Sequence, residues 1–188
     1  MIRGERIALR PVDPEHDLEA CFQWFNDPEV TRHLGRVDPP ITRTQEREVL
    51  ARQTDPDRGA FFAIEAEDGT FIGTCAILGI WHRTRTGNVG IAIGDKRYWS
   101  RGYGTDALRT LCAYGFVELN LQRIGLRLDA TNERARRCYE KCGFQVEGRL
   151  RRAAYSQGRY VDELVMGVLR EEFFERFPER KPEGVSLT

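Results

Sequence analysis

One stretch of the chain decides the fold, and it reads Asn88-Val-Gly-Ile-Ala-Ile-Gly-Asp-Lys-Arg-Tyr-Trp-Ser-Arg-Gly-Tyr-Gly-Thr-Asp-Ala-Leu108. Its first part, residues 89–93, is a short apolar run that is typical of a buried strand. Its last part opens an amphipathic helix at two glycines, Gly102 and Gly104. The stretch therefore predicts a strand, a loop, a glycine turn and a helix in succession.

The start of this predicted helix suits an anion. The first turn of a helix has backbone N–H groups without internal partners, and it lies at the positive end of the helix dipole. Glycines at Gly102 and Gly104 let a ligand approach those groups closely. The turn therefore predicts an anion site, most simply for a phosphate.

Composition limits the classes of protein to which the chain can belong. With 188 residues, of which 40% are hydrophobic and 31% charged, it is long enough for one core and short for two. We expect one domain over residues 1–180 and a loose tail over 181–188. Formal net charge is zero, so no overall field favours nucleic acid or an anionic membrane.

Neither a membrane segment nor a metal site is predicted. No apolar run reaches the roughly 18 residues that a membrane span needs, and the N-terminus lacks an apolar signal core, which favours a cytoplasmic protein. Five cysteines without a CxxC pair indicate reduced structural thiols. The three histidines, His16, His33 and His82, have no metal-ligand spacing, and we assign none of them a catalytic role.

Patterning along the rest of the chain predicts a mixed α/β (α+β) domain, in which helices flank one sheet of about seven strands. Predicted strands cover residues 6–10, 60–65, 70–80, 89–93, 123–129, 145–154 and 161–168. Predicted helices cover residues 15–26, 43–53 and 133–142, besides the one that the glycine turn opens. A short amphipathic tail with Phe173, Phe174 and Phe177 ends the fold, and residues 27–41 are expected to be irregular.

The glycine turn also fits GxGxxA, from Gly102 to Ala107, which is a dinucleotide-binding fingerprint. In that fingerprint the first glycine follows its strand almost at once, whereas here residues 94–100 intervene and three strands come first. A purely structural role, a tight connection between strand and helix, is the other alternative.

Two further segments narrow the interpretation. They are Asn132-Glu-Arg-Ala135-Arg-Arg-Cys-Tyr139-Glu-Lys141-Cys-Gly143-Phe144, and Arg152-Ala-Ala-Tyr155-x-x-Gly158-x-Tyr-x-Asp162. With the glycine turn they resemble the GNAT superfamily of N-acetyltransferases. The opening Arg6-Ile-Ala-Leu-Arg10-Pro and the later Trp24-x-Asn-Asp27-Pro-Glu resemble most the branch of ribosomal-protein N-terminal (Rim-type) and spermidine acetyltransferases. The family motif [QR]xxGx[GA] appears as Trp99-Ser-Arg-Gly102-Tyr-Gly104, with tryptophan in place of the first polar residue.

The resemblance implies a sheet that splays open to bind acetyl-CoA, with no metal. It implies that the backbone from Arg101 to Thr105 binds the pyrophosphate, with the Arg101 side chain as a second contact, and that residues 91–93 pair with the pantetheine arm. Asn132 would cap its helix and also bond the pantetheine amide. The implied cofactor-binding residues are Ile91, Ala92, Ile93, Arg101, Gly102, Tyr103, Gly104, Thr105 and Asn132. Whether Arg134, Arg136 and Arg137 contact CoA stays open.

Tyr139 is the implied general acid. It lies seven residues after Asn132, which is two helical turns along the same face. We expect its hydroxyl to protonate the departing thiolate. The alternative is a core aromatic residue packed beside Phe144.

The general base is not evident, because Asn88 stands where many family members have a glutamate, and an amide cannot accept the proton. An amine of pKa about 10.4 is only about 0.04% neutral at pH 7, whereas an α-amine near 7.8 is about 14% neutral. Without a strong base, an α-amine acceptor is favoured. Glu65, Asp162 and Glu163 are carboxylates that could restore deprotonation.

The predicted function is therefore acetyl transfer from acetyl-CoA to a primary amine by direct attack, with a peptide or protein N-terminal α-amine as the favoured acceptor. Trp24 and Tyr155 are the expected acceptor contacts, within surfaces that also include residues 32–34 and 155–160. Alternatives are a CoA-binding sensor without acetyl transfer, and an enzyme for a small polyamine or antibiotic amine. The family often forms dimers, so a homodimer is the assembly that the resemblance suggests.

Overall fold

The computed structural model describes residues 1–34, 40–156 and 158–180, and it contains one sheet of eight strands in the order β1-β2-β3-β4-β5-β6-β8-β7. The strands are β1 (Ile2–Arg3), β2 (Ile7–Arg10), β3 (Gly59–Ala66), β4 (Phe71–Trp81), β5 (Thr86–Ile93), β6 (Arg123–Asp129), β7 (Gln145–Ser156) and β8 (Arg159–Leu169). The helices are α1 (Leu18–Phe25), α2 (Pro28–Thr31), α3 (Arg43–Gln53), α4 (Tyr103–Val117), α5 (Glu133–Lys141) and α6 (Arg170–Arg176). The predicted single mixed domain is confirmed, and the strand added to the expected seven is the short β1.

The sheet opens between β5 and β6, the parallel pair within an otherwise antiparallel order. These strands pair only at their starts, where residues 86–88 lie beside residues 123–125. On its other side β5 stays bonded to β4 as far as Gly94, whose N–H donates to the carbonyl of Ile72. Backbone groups alternate between the two edges of a strand, so those of Ile91 and Ile93 face the gap. The predicted splay is present.

Two apolar clusters hold the sheet from opposite faces, because successive residues of a strand point to opposite sides. Phe62 of β3 packs against the larger cluster, which α4 and α6 complete with buried residues such as Phe116 and Phe173. Phe61, the preceding residue, packs against a smaller cluster that α1 and α3 complete with Cys21 and Leu50. The gap between β5 and β6 is therefore held open within a sheet that is packed on both sides.

Local signals placed some elements well. Helix α3 starts with the predicted capping box, in which Thr42 and Gln45 bond each other's backbone N–H groups. Gly143 follows α5 with a φ of 93°, a left-handed conformation that favours glycine. No helix of the described residues is long and apolar enough to cross a membrane. The expected loose tail, residues 181–188, lies outside the described residues.

Other boundaries differ from the prediction. Helix α1 begins at Leu18, later than expected, because Asp13 caps a separate turn by accepting the N–H groups of Glu15 and His16. A short helix, α2, occupies residues that we expected to be irregular; Asp27 caps it and Pro28 is its first residue. This cap and this proline are ordinary helix-start signals that the sequence already contained.

Candidate active site

A cavity of about 460 Å³ lies at the open fork between β5 and β6. Its walls come from the end of β5, the glycine turn, the first residues of α4, helix α5 and the segment after α2. Predicted site residues that line it are Ile91, Ala92, Ile93, Gly102, Gly104, Thr105, Asn132 and Tyr139. The structure therefore brings most of the expected cofactor residues together around one space.

The glycine turn leaves the start of α4 open. Gly102 is the N-cap residue with a φ of 92°, and no side chain caps the helix there. Ser100, which lines the cavity, also has a left-handed φ of 58°, an uncommon conformation for a residue with a side chain. Among the described residues, no side chain caps the N–H groups of this first turn, which is the arrangement that an anion site requires.

The side chain of Arg6 stabilises the glycine turn by hydrogen bonds and does not line the cavity. Its Nη1 donates to the carbonyl oxygen of Arg101 at 2.6 Å, and its Nη2 donates to the Tyr103 hydroxyl at 2.9 Å and to Glu67 at 3.2 Å. Arg101 and Tyr103 lie 95 and 97 residues from Arg6 in the sequence, so no local pattern could have revealed these contacts. Arg6 is a supporting residue that the sequence interpretation missed.

The side chains of Arg101 and Tyr103 lie outside the cavity lining. The Arg101 side chain is exposed, donates to the carbonyl of Arg97 at 3.3 Å and does not line the cavity. The Tyr103 side chain is buried, with its hydroxyl held by Arg6 and donating to Glu67 at 3.1 Å. Both residues contribute to the turn through their backbone, because their side chains are engaged elsewhere.

Trp99 replaces the first polar residue of the family motif but keeps a hydrogen-bond donor. Its indole Nε1 donates to the carbonyl of Ile93 at 2.6 Å, which fixes the end of β5 against the turn. The guanidinium of Arg134 lies 3.9 Å from the centre of the Trp99 ring. Desolvation at this wall lowers the pKa of Arg134, yet a guanidinium stays charged at any physiological pH.

Positive charge gathers on the α5 side of the cavity. Arg134, Arg137 and Lys141 line it, whereas Arg136 is held by Glu140 at 2.9 Å and does not. An open helix start, the edge of β5 that faces the gap and three cations therefore lie around one cavity. Of the three arginines left open by the sequence, two are placed to meet an anion.

Asn132 and Tyr139 each combine a structural role with a position on the cavity wall. Asn132 Oδ1 caps α5 by accepting the N–H of Ala135 at 3.1 Å. Tyr139 is buried and packs edge-on against Phe144, with ring centres 5.8 Å apart. Burial raises the pKa of Tyr139 far above its ordinary value, so the hydroxyl remains protonated and can donate a hydrogen bond.

Three further predicted residues, Asn88, Trp24 and Tyr155, also do not line the cavity. Asn88 is exposed at the closed end of the fork, opposite Leu78 and Gly125. Trp24 is half-buried and packs over Gly94, where a Cβ atom would overlap its ring. Tyr155 lies on β7, where it makes an edge-on contact with Tyr160 at 5.2 Å.

A histidine that the sequence interpretation set aside does line the cavity. His33 follows α2, and its Nδ1 lies 3.2 Å from Oδ2 of Asp129, the last residue of β6. Oδ1 of Asp129 accepts the N–H and the hydroxyl of Thr131, both at 2.7 Å. Burial raises the pKa of Asp129, but the bonds from Thr131 and His33 outweigh it, and the net shift lowers that pKa. The pair is 96 residues apart in sequence, so only the fold reveals it.

Known proteins share both the sequence pattern and this fold. The family model described as "Acetyltransferase (GNAT) domain" matches residues 6–145. A spermidine N(1)-acetyltransferase of Escherichia coli (strain K12) is 28% identical over 187 residues, covering 100% of this chain and 97% of that protein. A putative ribosomal N-acetyltransferase of Bacillus subtilis (strain 168) is 27% identical and covers 90% of this chain and 94% of its own length.

A solved structure shows the same fold. The crystal structure of a spermidine N-acetyltransferase from Vibrio cholerae, in complex with CoA and spermine, superposes with a TM-score of 0.82. It is 23% identical and covers 90% of this chain and 98% of its own. With the family model and the built cavity, these findings identify the chain as a member of the GNAT family and an N-acetyltransferase that uses acetyl-CoA.

Proposed function

We propose that the acceptor is the α-amine of a peptide or protein N-terminus. The observation that carries this proposal is the charge of the cavity wall. Among the described residues that line it, the one carboxylate is Glu29, which already bonds Lys96 at 2.9 Å. A polyamine brings several ammonium groups, each of which needs a counter-charge when desolvated. The described part of this wall has no carboxylate outside that ion pair to match several ammonium groups, so a singly charged amine fits it better.

Acid–base matching supports the same acceptor. Attack on a thioester requires a neutral amine. At pH 7 about 14% of α-amines with a pKa near 7.8 are neutral, compared with about 0.04% of amines near 10.4. Among the described residues of this wall no carboxylate is free to act as base, which suits the α-amine better.

The mouth of the site offers aromatic surface to the residues that follow such an amine. Tyr155 and Tyr160 are exposed at the end of the β7–β8 hairpin. The same hairpin contacts the segment after α2, because the Ser156 hydroxyl donates to the carbonyl of Arg32 at 3.2 Å. Exposed tyrosines give a large contact area to peptide side chains. Tyr155 is thus an acceptor contact in this proposal, and Trp24 supports the site by packing α1 against Gly94.

The residues of the cavity divide the chemistry among them. Acetyl-CoA supplies an activated acetyl group as its thioester. The N–H of Ile91 faces the gap and is placed to bond the carbonyl oxygen as negative charge develops there. Asn132 orients the amide-rich arm, and Tyr139 donates its proton toward the leaving sulfur. Backbone N–H groups of the glycine turn hold the phosphates.

Polyamine acetylation is the second candidate, because the similarity to the Escherichia coli spermidine N(1)-acetyltransferase covers the whole chain. Thiol release from acetyl-CoA at pH 7 separates the two. The acceptors are a short peptide with a free α-amine, the same peptide with a blocked N-terminus and an internal lysine, and spermidine. We expect kcat/KM for the free α-amine to exceed the other two at least tenfold. A preference for spermidine contradicts the proposal and establishes the second candidate.

A further inference from the structure

We infer that His33 is the general base of the reaction and that Asp129 is its positioning residue. The assignment deepens the proposed function, since it rests on acetyl transfer to a primary amine. The assignment gives the reaction a proton acceptor, which the amide of Asn88 cannot be. Its evidence is the paired geometry of the two side chains and the place of His33 on the cavity wall.

The pair fixes which ring nitrogen accepts a proton. Both oxygens of Asp129 are engaged, one by Thr131 and the other by Nδ1 of His33, so the carboxylate cannot rotate freely. An ionised carboxylate only accepts hydrogen bonds, so Nδ1 carries the hydrogen in neutral His33. Nε2 then has the lone pair, and among the described residues it has no hydrogen-bond partner. The imidazole is thus held as a base with one free acceptor.

The position of His33 is also defined by its neighbours. The N–H of Leu34 donates to the carbonyl of Thr31 at 2.9 Å, which continues the turn after α2. Ser156 of the hairpin bonds the carbonyl of Arg32 at 3.2 Å. Base and acid therefore reach one cavity from separate elements, His33 from the segment after α2 and Tyr139 from α5.

Charged groups surround the imidazole on several sides. Asp129 contacts it from β6, and Glu163 on β8 is the register partner of Asp129. Glu29 of α2, paired with Lys96, and Arg134 of α5 line the same cavity. Asp129 is the charged group in direct contact with the His33 ring.

Carboxylates considered from the sequence are engaged elsewhere. Glu65 bonds Arg10 at 2.6 Å, and Asp162 bonds Arg149 at 2.6 Å and the N–H of Arg152 at 2.8 Å. Neither of them lines the cavity, nor does Glu163. Within the described part of the chain, His33 is the histidine that lines the cavity.

The proposed step balances in atoms and charge. The acceptor ammonium gives one proton to Nε2 of His33, and its nitrogen lone pair attacks the acetyl carbon. As the tetrahedral intermediate collapses, the C–N bond remains and the C–S bond breaks. Tyr139 donates its proton to the sulfur and takes up the second proton of the nitrogen, and His33 returns its proton to solvent. Amide, free CoA thiol and one released proton are the products.

Kinetics of four variants test the assignment, namely His33→Gln, His33→Ala, Asp129→Asn and the matched control His16→Gln. His16 is an exposed histidine outside the cavity. Each is assayed by thiol release with acetyl-CoA and the acceptor that reacts fastest among the free-amine peptide, the lysine peptide and spermidine. We expect His33→Gln to lower kcat about 100-fold, with KM for acetyl-CoA unchanged. Asp129→Asn should lower kcat less, and His16→Gln should not change it.

Two readouts distinguish catalysis from a structural role. As the pH falls, the activity of wild type should decrease with the slope of a single protonation, and His33→Gln should not show this decrease. Added imidazole should restore part of the activity of His33→Ala. An unchanged pH profile, or no rescue in a folded variant, overturns the assignment. The acceptor that reacts fastest tests the proposed function separately, because the kcat ratios between each variant and wild type test His33 with any amine acceptor.

Nitrogen NMR of the free protein gives an answer even without turnover. We expect the neutral His33 ring to carry its hydrogen on Nδ1 in wild type and to lose this preference in Asp129→Asn. A ring protonated on Nε2 in wild type contradicts the inference.

Discussion

The two ends of the cavity are built in different ways. The proposed cofactor end consists mainly of backbone groups from one continuous stretch, the end of β5 and the start of α4, in which Ser100 and Gly102 have a left-handed φ. The acceptor end consists of side chains from distant segments, such as His33 and Asp129, which are 96 residues apart. A site made of local backbone leaves a readable sequence pattern, whereas a site made of long-range side-chain pairs does not.

The largest effect is expected at the cofactor end, from Gly102→Val. A β-branched residue at a φ of 92° is strained by about 3 kcal/mol at most, in the turn that presents the phosphate-binding N–H groups. We expect KM for acetyl-CoA to rise roughly 10- to 100-fold while the acceptor KM stays the same. Gly69→Val is the matched control, because Gly69 has a φ of 80° with open space around it, in the β3–β4 turn. It should lose stability but keep its acetyl-CoA KM; equal KM values in both variants contradict the backbone account.

The next effect is expected at Gly94, the residue that follows β5. A Cβ there overlaps the Trp24 ring, and overpacking of this kind costs about 1–3 kcal/mol. Gly94→Ala should therefore lower the free energy of unfolding in urea by about 2 kcal/mol. In a Trp24→Ala background the same change should cost much less, because the clash is gone. If the losses of unfolding free energy from the two substitutions add up in the double variant, Trp24 does not hold α1 against β5.

A smaller effect is expected from Tyr139→Phe. Phenylalanine keeps the edge-on contact with Phe144 and removes only the hydroxyl. Because a thiolate of pKa about 8.5 is already a fair leaving group, kcat should fall only about tenfold, with KM for acetyl-CoA unchanged. If Tyr139→Phe has the same kcat and the same thermal unfolding as wild type, Tyr139 has only a packing role.

The smallest effect is expected at Asn132. Loss of an N-cap costs about 1 kcal/mol, so Asn132→Ala should lower stability by that amount and raise KM for acetyl-CoA severalfold. Asn132→Asp keeps a good cap but loses the amide donor, so stability should stay while KM rises. Equal KM values in Asn132→Asp and wild type would limit Asn132 to its cap. Urea unfolding and steady-state kinetics on the same samples give both quantities.

Most of the fold was predictable because its signals are local. The capping box of Thr42 and Gln45 marks the start of α3. The alternating β6 was predicted to the residue, as residues 123–129. The short β1 was missed because two residues carry no periodicity, and it exists only through pairing with β2. The late start of α1 reflects a competing use of Asp13, which the sequence pattern does not rank.

The site residues were likewise predictable where their sequence signals are local. The glycine turn, the end of β5, Asn132 and Tyr139 were found from spacing and resemblance, and all of them line the cavity. Asn88 was placed by its position on β5, but it lies at the closed end of the fork. His33 was named only as part of an acceptor surface. Its role depends on Asp129, which the fold brings from the far side of the sequence.

The most direct test is calorimetric titration of acetyl-CoA into wild type, Gly102→Val and His33→Gln. If backbone of the turn builds the cofactor end and side chains build the acceptor end, Gly102→Val weakens binding at least tenfold. The acetyl-CoA affinity of His33→Gln then stays within about twofold of wild type, although its kcat is about 100-fold lower. Equal affinities in all three proteins, or a larger loss in His33→Gln than in Gly102→Val, would contradict this division of the site.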